Sequence, residues 1–241
     1  MQNVMRRLIV LLLSIAILLS FCACHRATAE GITSFTLAAD GSLEALPWGI
    51  TEEDATAVLD ASHIVYTRGN KAILLDDAVF MDRHGSIGLQ FSEYDGVKTL
   101  LADPDPQPRL SAVYITLPDT DRAAVSAAIS AVLGEMETER IGFWQEGEAY
   151  GVKRGGALSE EDRYWHAKES LLDLLGMENL GKLLPVLDER SLTQAAYSVY
   201  PYVVKVYDSS QISNLPENTI LIELDGSGTV EWHIAEGILN G

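Results

Sequence analysis

Cysteine is nearly absent from this chain, and what there is lies at one end: Cys22 and Cys24 are the only two. The body that follows can form no internal disulfide, hold no cysteine metal site and use no thiol nucleophile. Positive charge is also scarce. Seventeen Lys and Arg face 35 Asp and Glu, a net −18 that becomes −20 if Arg6 and Arg7 are removed. A surface of that sign repels phosphate backbones and anionic headgroups, which argues against nucleic-acid partners and against unaided adhesion to acidic membranes.

Catalytic signatures are missing too. The five histidines, His25, His63, His84, His166 and His233, form no H-E-x-x-H pattern and no helical pair. There is no G-x-S-x-G elbow, no S-x-x-K and no P-loop. Acidic pairs at Asp76-Asp77, Asp103/Asp105 and Asp119/Asp121 lack the spacing and turn glycine of a calcium loop, and read as solvated surface. No cofactor, catalytic or metal site is expected. With 35 acids, a two-carboxylate glycosidase is neither supported nor dismissed by sequence.

What is present begins at the amino end. MQNVMRR carries two positive charges, and Leu8 to Phe21 is an apolar run of 14 residues broken only by Ser14 and Ser20. This suits a secretory signal and falls short of the roughly 20 residues of a membrane-spanning helix. Two cleavages compete. Phe21-Cys22-Ala23-Cys24 resembles a bacterial lipobox, which implies a lipid (palmitate-type acylation) on Cys24, although Phe21 and Cys22 depart from the usual residues. Ala27-Thr28-Ala29 offers an ordinary peptidase site, releasing a secreted chain from Glu30. The expected organisation is a signal over 1–23, a tether over 24–33, a first half over 34–145 and a second over 146–241, the two forming either separate units or one continuous domain. Removing 23 residues leaves 218 of 241, enough for one large domain or two small ones.

The 47% apolar content argues for a folded body. A hairpin is expected in SFTLAADGSLEAL, turned at Asp40-Gly41. Thr51 with Glu52, Glu53 and Asp54 reads as the start of a helix. HIVYT, KAILLDDAVFM, SIGLQFS and RLSAVYITL read as an antiparallel meander, and DPDPQP as a loop. PDTDRAAVSAAISAVLG reads as a second helix ended by Gly134, and METERIGFW as a strand. LSEEDRYWHAKESLLDLLG reads as a third helix, capped by Ser159 and stopped at Gly176. A helical piece is expected near Leu180 to Leu187. ILIELDGSGTVEWHI reads as a hairpin turned at Asp225-Gly226. Helices grouped around runs of strands give an α+β class.

Trp48-Gly49-Ile50-Thr51-Glu52-Glu53-Asp54, continued by Ala55 and Val58-Leu59-Asp60, resembles the helix-opening motif of outer-membrane-assembly lipoproteins and of secreted β-lactamase inhibitor repeats. Ala55 and Asp60 depart from that pattern, and the match spans about a twentieth of the chain. The resemblance implies a helix packed on an antiparallel sheet in an extracytoplasmic protein that binds other proteins, without catalysis.

The remaining surface candidate is AAYSVYPYVVKVYD. Period-two alternation puts Tyr200, Tyr202, Val204 and Val206 on one face and Val203, Lys205 and Tyr207 on the other, and Pro201 points to an edge strand or bulge. Tyr200, Tyr202 and Tyr207 are the candidate binding residues, against the plainer reading that they pack in the core. The expected function is a non-enzymatic binding module at the bacterial envelope, attached to the membrane through Cys24 and meeting a protein partner. The rivals are an extracytoplasmic hydrolase of cell-wall or sugar substrates and a structural envelope lipoprotein.

Overall fold

A computed structural model of the chain describes residues 34–96, 99, 101–135, 137–138, 163–185, 187, 189, 191, 193, 199–212 and 215–241. In chain order the elements are α1 (Glu52–Ala61), β1 (Thr67–Gly69), β2 (Ala72–Phe80), β3 (Arg83–Ser92), β4 (Arg109–Pro118), α2 (Arg122–Leu133), β5 (Glu137–Thr138), β6 (Arg163–His166), α3 (Leu171–Leu183), β7 (Val203–Tyr207), β8 (Thr219–Asp225) and α4 (Ser227–Asn240). The strands form one sheet in the order β1-β2-β3-β4-β8-β7-β6-β5, and every pairing is antiparallel. The protein is α+β. The signal, the tether, Cys24, His25, Trp144 and the LSEED stretch lie outside the described residues.

Alternation along the strands decides which face is dry. Val113, Ile115 and Leu117 of β4 are buried, while Tyr114 between them is exposed. Val113 pairs with Leu224 and Ile115 with Ile222. Those partners pair in turn with Val204 and Val206 of β7. Ile87, Leu89 and Phe91 of β3 and Ile73, Leu75 and Phe80 of β2 continue the same apolar layer. Ala55 and Leu59 of α1, Val125 and Ile129 of α2, Leu171 and Leu180 of α3, and Val230 and Ile234 of α4 share one core with it. Each such side chain contributes roughly 1.5–3 kcal/mol by leaving water, so the sheet and its helices fold as two layers around that core.

Helix ends follow the local chemistry. Thr51 accepts from the Asp54 N–H, and Asp121, one to two residues beyond the expected cap, accepts from the Ala124 N–H. The α2 end at Gly134 is held by Trp165, whose indole N–H donates to the Gly134 carbonyl at 3.1 Å. Asp40-Gly41 does turn the chain, but the flanking residues make only the isolated Leu37–Leu43 bridge.

Several expected elements change type. Of HIVYT only Thr67 enters a strand. Ser159 lies outside the described residues, and the segment read as its helix contains β6, paired with β7 at Trp165↔Val204. The helix begins later, after Ser170, whose hydroxyl and the Asp173 carboxylate form a reciprocal capping box. Gly176 does not stop α3 but kinks it with φ 73°, ψ 158°, a left-handed position that glycine tolerates. The piece expected near Leu180 is the end of the same helix. The expected hairpin at Asp225-Gly226 is instead a strand-to-helix turn: β8 ends, the Asp225 carboxylate accepts from the Ser227 N–H at 3.0 Å, and α4 follows. At Gly226 the Trp48 ring sits so close that any side chain would overlap it. Finally, β7 is no edge strand. It lies between β8 and β6, and Pro201 precedes it, where no ladder donor is required.

Candidate functional site

The strand-to-helix turn and the DPDPQP loop meet beside Trp48. Their junction encloses a cavity of about 310 Å³, lined by Trp48, Gly49, Asp103, Pro104, Asp105, Arg109, Val230, His233, Ile234 and Gly237. Three pieces of chain position it. The Gly49 N–H donates to the Leu110 carbonyl and the Leu110 N–H to the Ile50 carbonyl, which ties the residues before α1 to the first residues of β4. Ser92 pairs with Arg109 on the other side, so the Arg109 backbone is held from two directions. Val230, His233, Ile234 and Gly237 recur at helical spacing and share one face of α4.

Asp103 is the organising charge. Its side chain is only 4% exposed, and its Oδ2 accepts from Arg109 Nε at 2.6 Å. Its Oδ1 accepts from the Asp105 N–H at 2.9 Å, and its own N–H donates to the Tyr94 carbonyl at 2.7 Å. Sequence reading took Asp103 for solvated surface, and this is a correction. The loop folds back so that the carboxylate turns inward, where a buried charge is tolerable because it is paired and doubly hydrogen-bonded. Arg109 is 25% exposed, and among the described residues neither of its terminal nitrogens has an acceptor.

Beneath the cavity the neighbouring polar groups are also buried. Tyr94 is fully buried and its hydroxyl donates to the Ser227 carbonyl at 3.4 Å. Burial, and then the charges of Glu231 and Asp225, push the Tyr94 phenol far above its ordinary range. Tyr94 thus spans from the end of β3 to the start of α4.

The tyrosines expected as binding residues do not gather into one patch. Tyr202 packs on the core, its ring against Gly41, where a methyl group would stand 2.7 Å from a ring carbon. Tyr200 stacks at 4.2 Å, tilted, on the His166 ring. Tyr207 is on the opposite face at the far end of β7, donating to Glu223 at 3.0 Å. All three are half-buried.

Among the described residues there are further depressions. One of about 420 Å³ brings together His63, His84, Asp76 and Asp77; the His84–Asp77 pair is 3.4 Å apart and highly exposed. Another, open and polar, is lined by Asp119, Asp121, Arg122 and Asp208. There the Ser210 hydroxyl, followed by Arg122, holds the Asp208 carboxyl below the usual range. Among the described residues no three His, Cys, Asp or Glu side chains converge as a metal site.

Sequence reading missed Arg109 altogether and weighed His233 only as one of five scattered histidines, not as part of a cavity. The available signals were Asp103 shortly before a strand that starts with arginine, and the helical spacing of Val230 and Ile234, inside a segment read as a hairpin, with Gly237 just beyond it. An antiparallel sheet with its buried helices on one face, and a small charged-apolar cavity at the strand-to-helix turn, define the class of protein. No protein-family model, no curated protein and no solved structure matches the chain.

Proposed function

We propose that this chain is an exported, non-enzymatic binding protein, held at the outer face of a bacterial membrane by a lipid on Cys24, with the Trp48–Arg109–His233 cavity as its binding site. The observation that carries the reading is the Asp103–Arg109 pair. Asp103 has both oxygens occupied and so serves to hold the guanidinium, not to exchange a proton with a substrate. A pre-oriented guanidinium facing apolar walls is suited to holding a ligand.

The basic start and 14-residue apolar run ending at the Cys24 region support export and anchoring, and a lipid would give so acidic a chain a hold on a membrane. The partial likeness of Trp48–Asp60 to the helix opening of protein-binding envelope lipoproteins agrees with a binding role. Among the described residues no helix is long and apolar enough to cross a membrane.

Two measurements test this. Intact mass of the mature protein is expected to show an acylated chain beginning at Cys24; a bare chain beginning at Glu30 overturns the anchor. Cross-linking in the native envelope is expected to capture a discrete partner. If nothing is captured and the purified protein turns over a cell-wall or sugar substrate, the binding role fails.

A further inference from the structure

The cavity beside Trp48 has an uneven chemistry that narrows what it can take. One wall is the Arg109 guanidinium, locked through Nε by Asp103, which leaves its terminal nitrogens without an acceptor among the described residues. The facing wall, from α4, is apolar: Val230 and Ile234, with His233 at the rim. At Gly237 a side-chain carbon would meet nothing within 4 Å, so the mouth is open where any other residue would narrow it.

We infer that this cavity binds an apolar residue bearing a free α-carboxylate, either as a free amino acid or as the C-terminal residue of a peptide. This rests on the binding role proposed above. The planar guanidinium offers two parallel N–H donors that match a carboxylate. Trp48, Val230 and Ile234 then take an aliphatic side chain away from water. Asp103 and Asp105 in the same wall make the site nearly neutral to negative. Such a balance opposes a phosphate dianion more strongly than a monoanion, as does the −18 of the whole chain, so a single carboxylate held by the paired guanidinium bonds is the anion best accommodated. A volume near 310 Å³ is at the small end of ligand cavities, in keeping with one residue and its carboxylate. Asp105 accepts from Gln107 through Oδ2, and its position at the rim can meet the ammonium group of a free amino acid, which a peptide lacks at its C-terminus.

The test is calorimetry on the full chain in detergent with three probes: leucine, N-acetyl-leucine and leucinamide. Saturable binding of leucine or N-acetyl-leucine in the millimolar range or tighter is expected, and leucinamide, which has no carboxylate, should bind at least about tenfold more weakly. Stronger binding of leucine assigns the free amino acid; stronger binding of N-acetyl-leucine assigns the peptide end. Because Arg109→Ala strips the partner from a buried carboxylate and can unfold the loop, the variants are Arg109→Lys and Gly237→Leu. Gly237→Leu closes the mouth without touching the ion pair. Each should weaken binding about tenfold or more with an unchanged circular-dichroism spectrum. No saturable binding of either acid, equal binding of leucinamide, or full binding by both variants overturns the inference. That failure would leave the intact mass and the partner capture untouched, so it is distinguishable from failure of the binding role.

Discussion

At the scale of single residues, burial separates ion pairs that look alike in sequence. Asp103–Arg109 is 2.6 Å long with one partner 4% exposed. Lys71–Glu93 is 2.8 Å long with both partners over a third exposed. Solvent screens the second, whereas removing Asp103 leaves Arg109 without its carboxylate and frees the N–H groups that shape the loop. Asp103→Ala is therefore expected to cost about 2–3 kcal/mol, and Lys71→Ala less than about 0.5 kcal/mol. Urea denaturation measures both, and equal losses would contradict the organising role of Asp103. None of this was visible from the acidic pair in sequence, because the inward turn of Asp103 depends on Tyr94 and β4, which lie outside the pair.

At the scale of elements, capping chemistry was the legible part. Thr51 and Gly134 act where the sequence placed them, since a cap depends only on residues within one turn. Ser170 was overlooked in favour of Ser159, although Ser170 has Asp173 in the capping-box position. Ser170→Ala is expected to destabilise the protein by about 1 kcal/mol, read as a lower urea midpoint with unchanged slope; no shift would mean that α3 is held by packing alone. The segment around β6 was misread for a related reason. Its acidic residues and apolar spacing favour a helix locally, but Arg163 and Tyr164 pair with β5, Trp165 and His166 pair with β7, and Trp165 fills the space beneath α2. Likewise α4 contains two glycines, Gly228 and Gly237, and alternates through Glu231-Trp232-His233-Ile234, which resembles a strand. It becomes a helix because Val230, Ile234 and Ala235 are buried together. Tertiary packing outweighs weak local propensity in both cases.

For the whole molecule, Tyr94 couples sheet, loop and helix to pH. Its phenol is raised in the folded state by burial first and by Glu231 and Asp225 after it. A raised value means that the folded form keeps its proton where the unfolded chain has lost it. The stability concerned is complete below the unfolded tyrosine value of about 10 and falls as pH climbs from there toward the folded value. Stability is thus expected to decline steeply above pH of about 10, and Tyr94→Phe to flatten that decline. Denaturation series at several alkaline pH values decide it: an equal decline in the variant would place the sensitivity elsewhere, Tyr114 being another phenol raised by burial.

Sequence alone determined the features whose causes are local or additive. These are the basic-then-apolar start, the absence of thiol chemistry from the body, the acidic surface, the alternating strands from Ala72 to Pro118, two helix starts and the α+β class. The fold alone decided the order β4-β8-β7-β6, the interior place of β7, the separation of Tyr207 from Tyr200 and Tyr202, and the cavity. Arg109 and His233 are 124 positions apart in sequence, and only the pairing of β4 with β8, followed by the turn into α4, brings them to one cavity. Local propensity carries no information about such a meeting; burial of the shared core does.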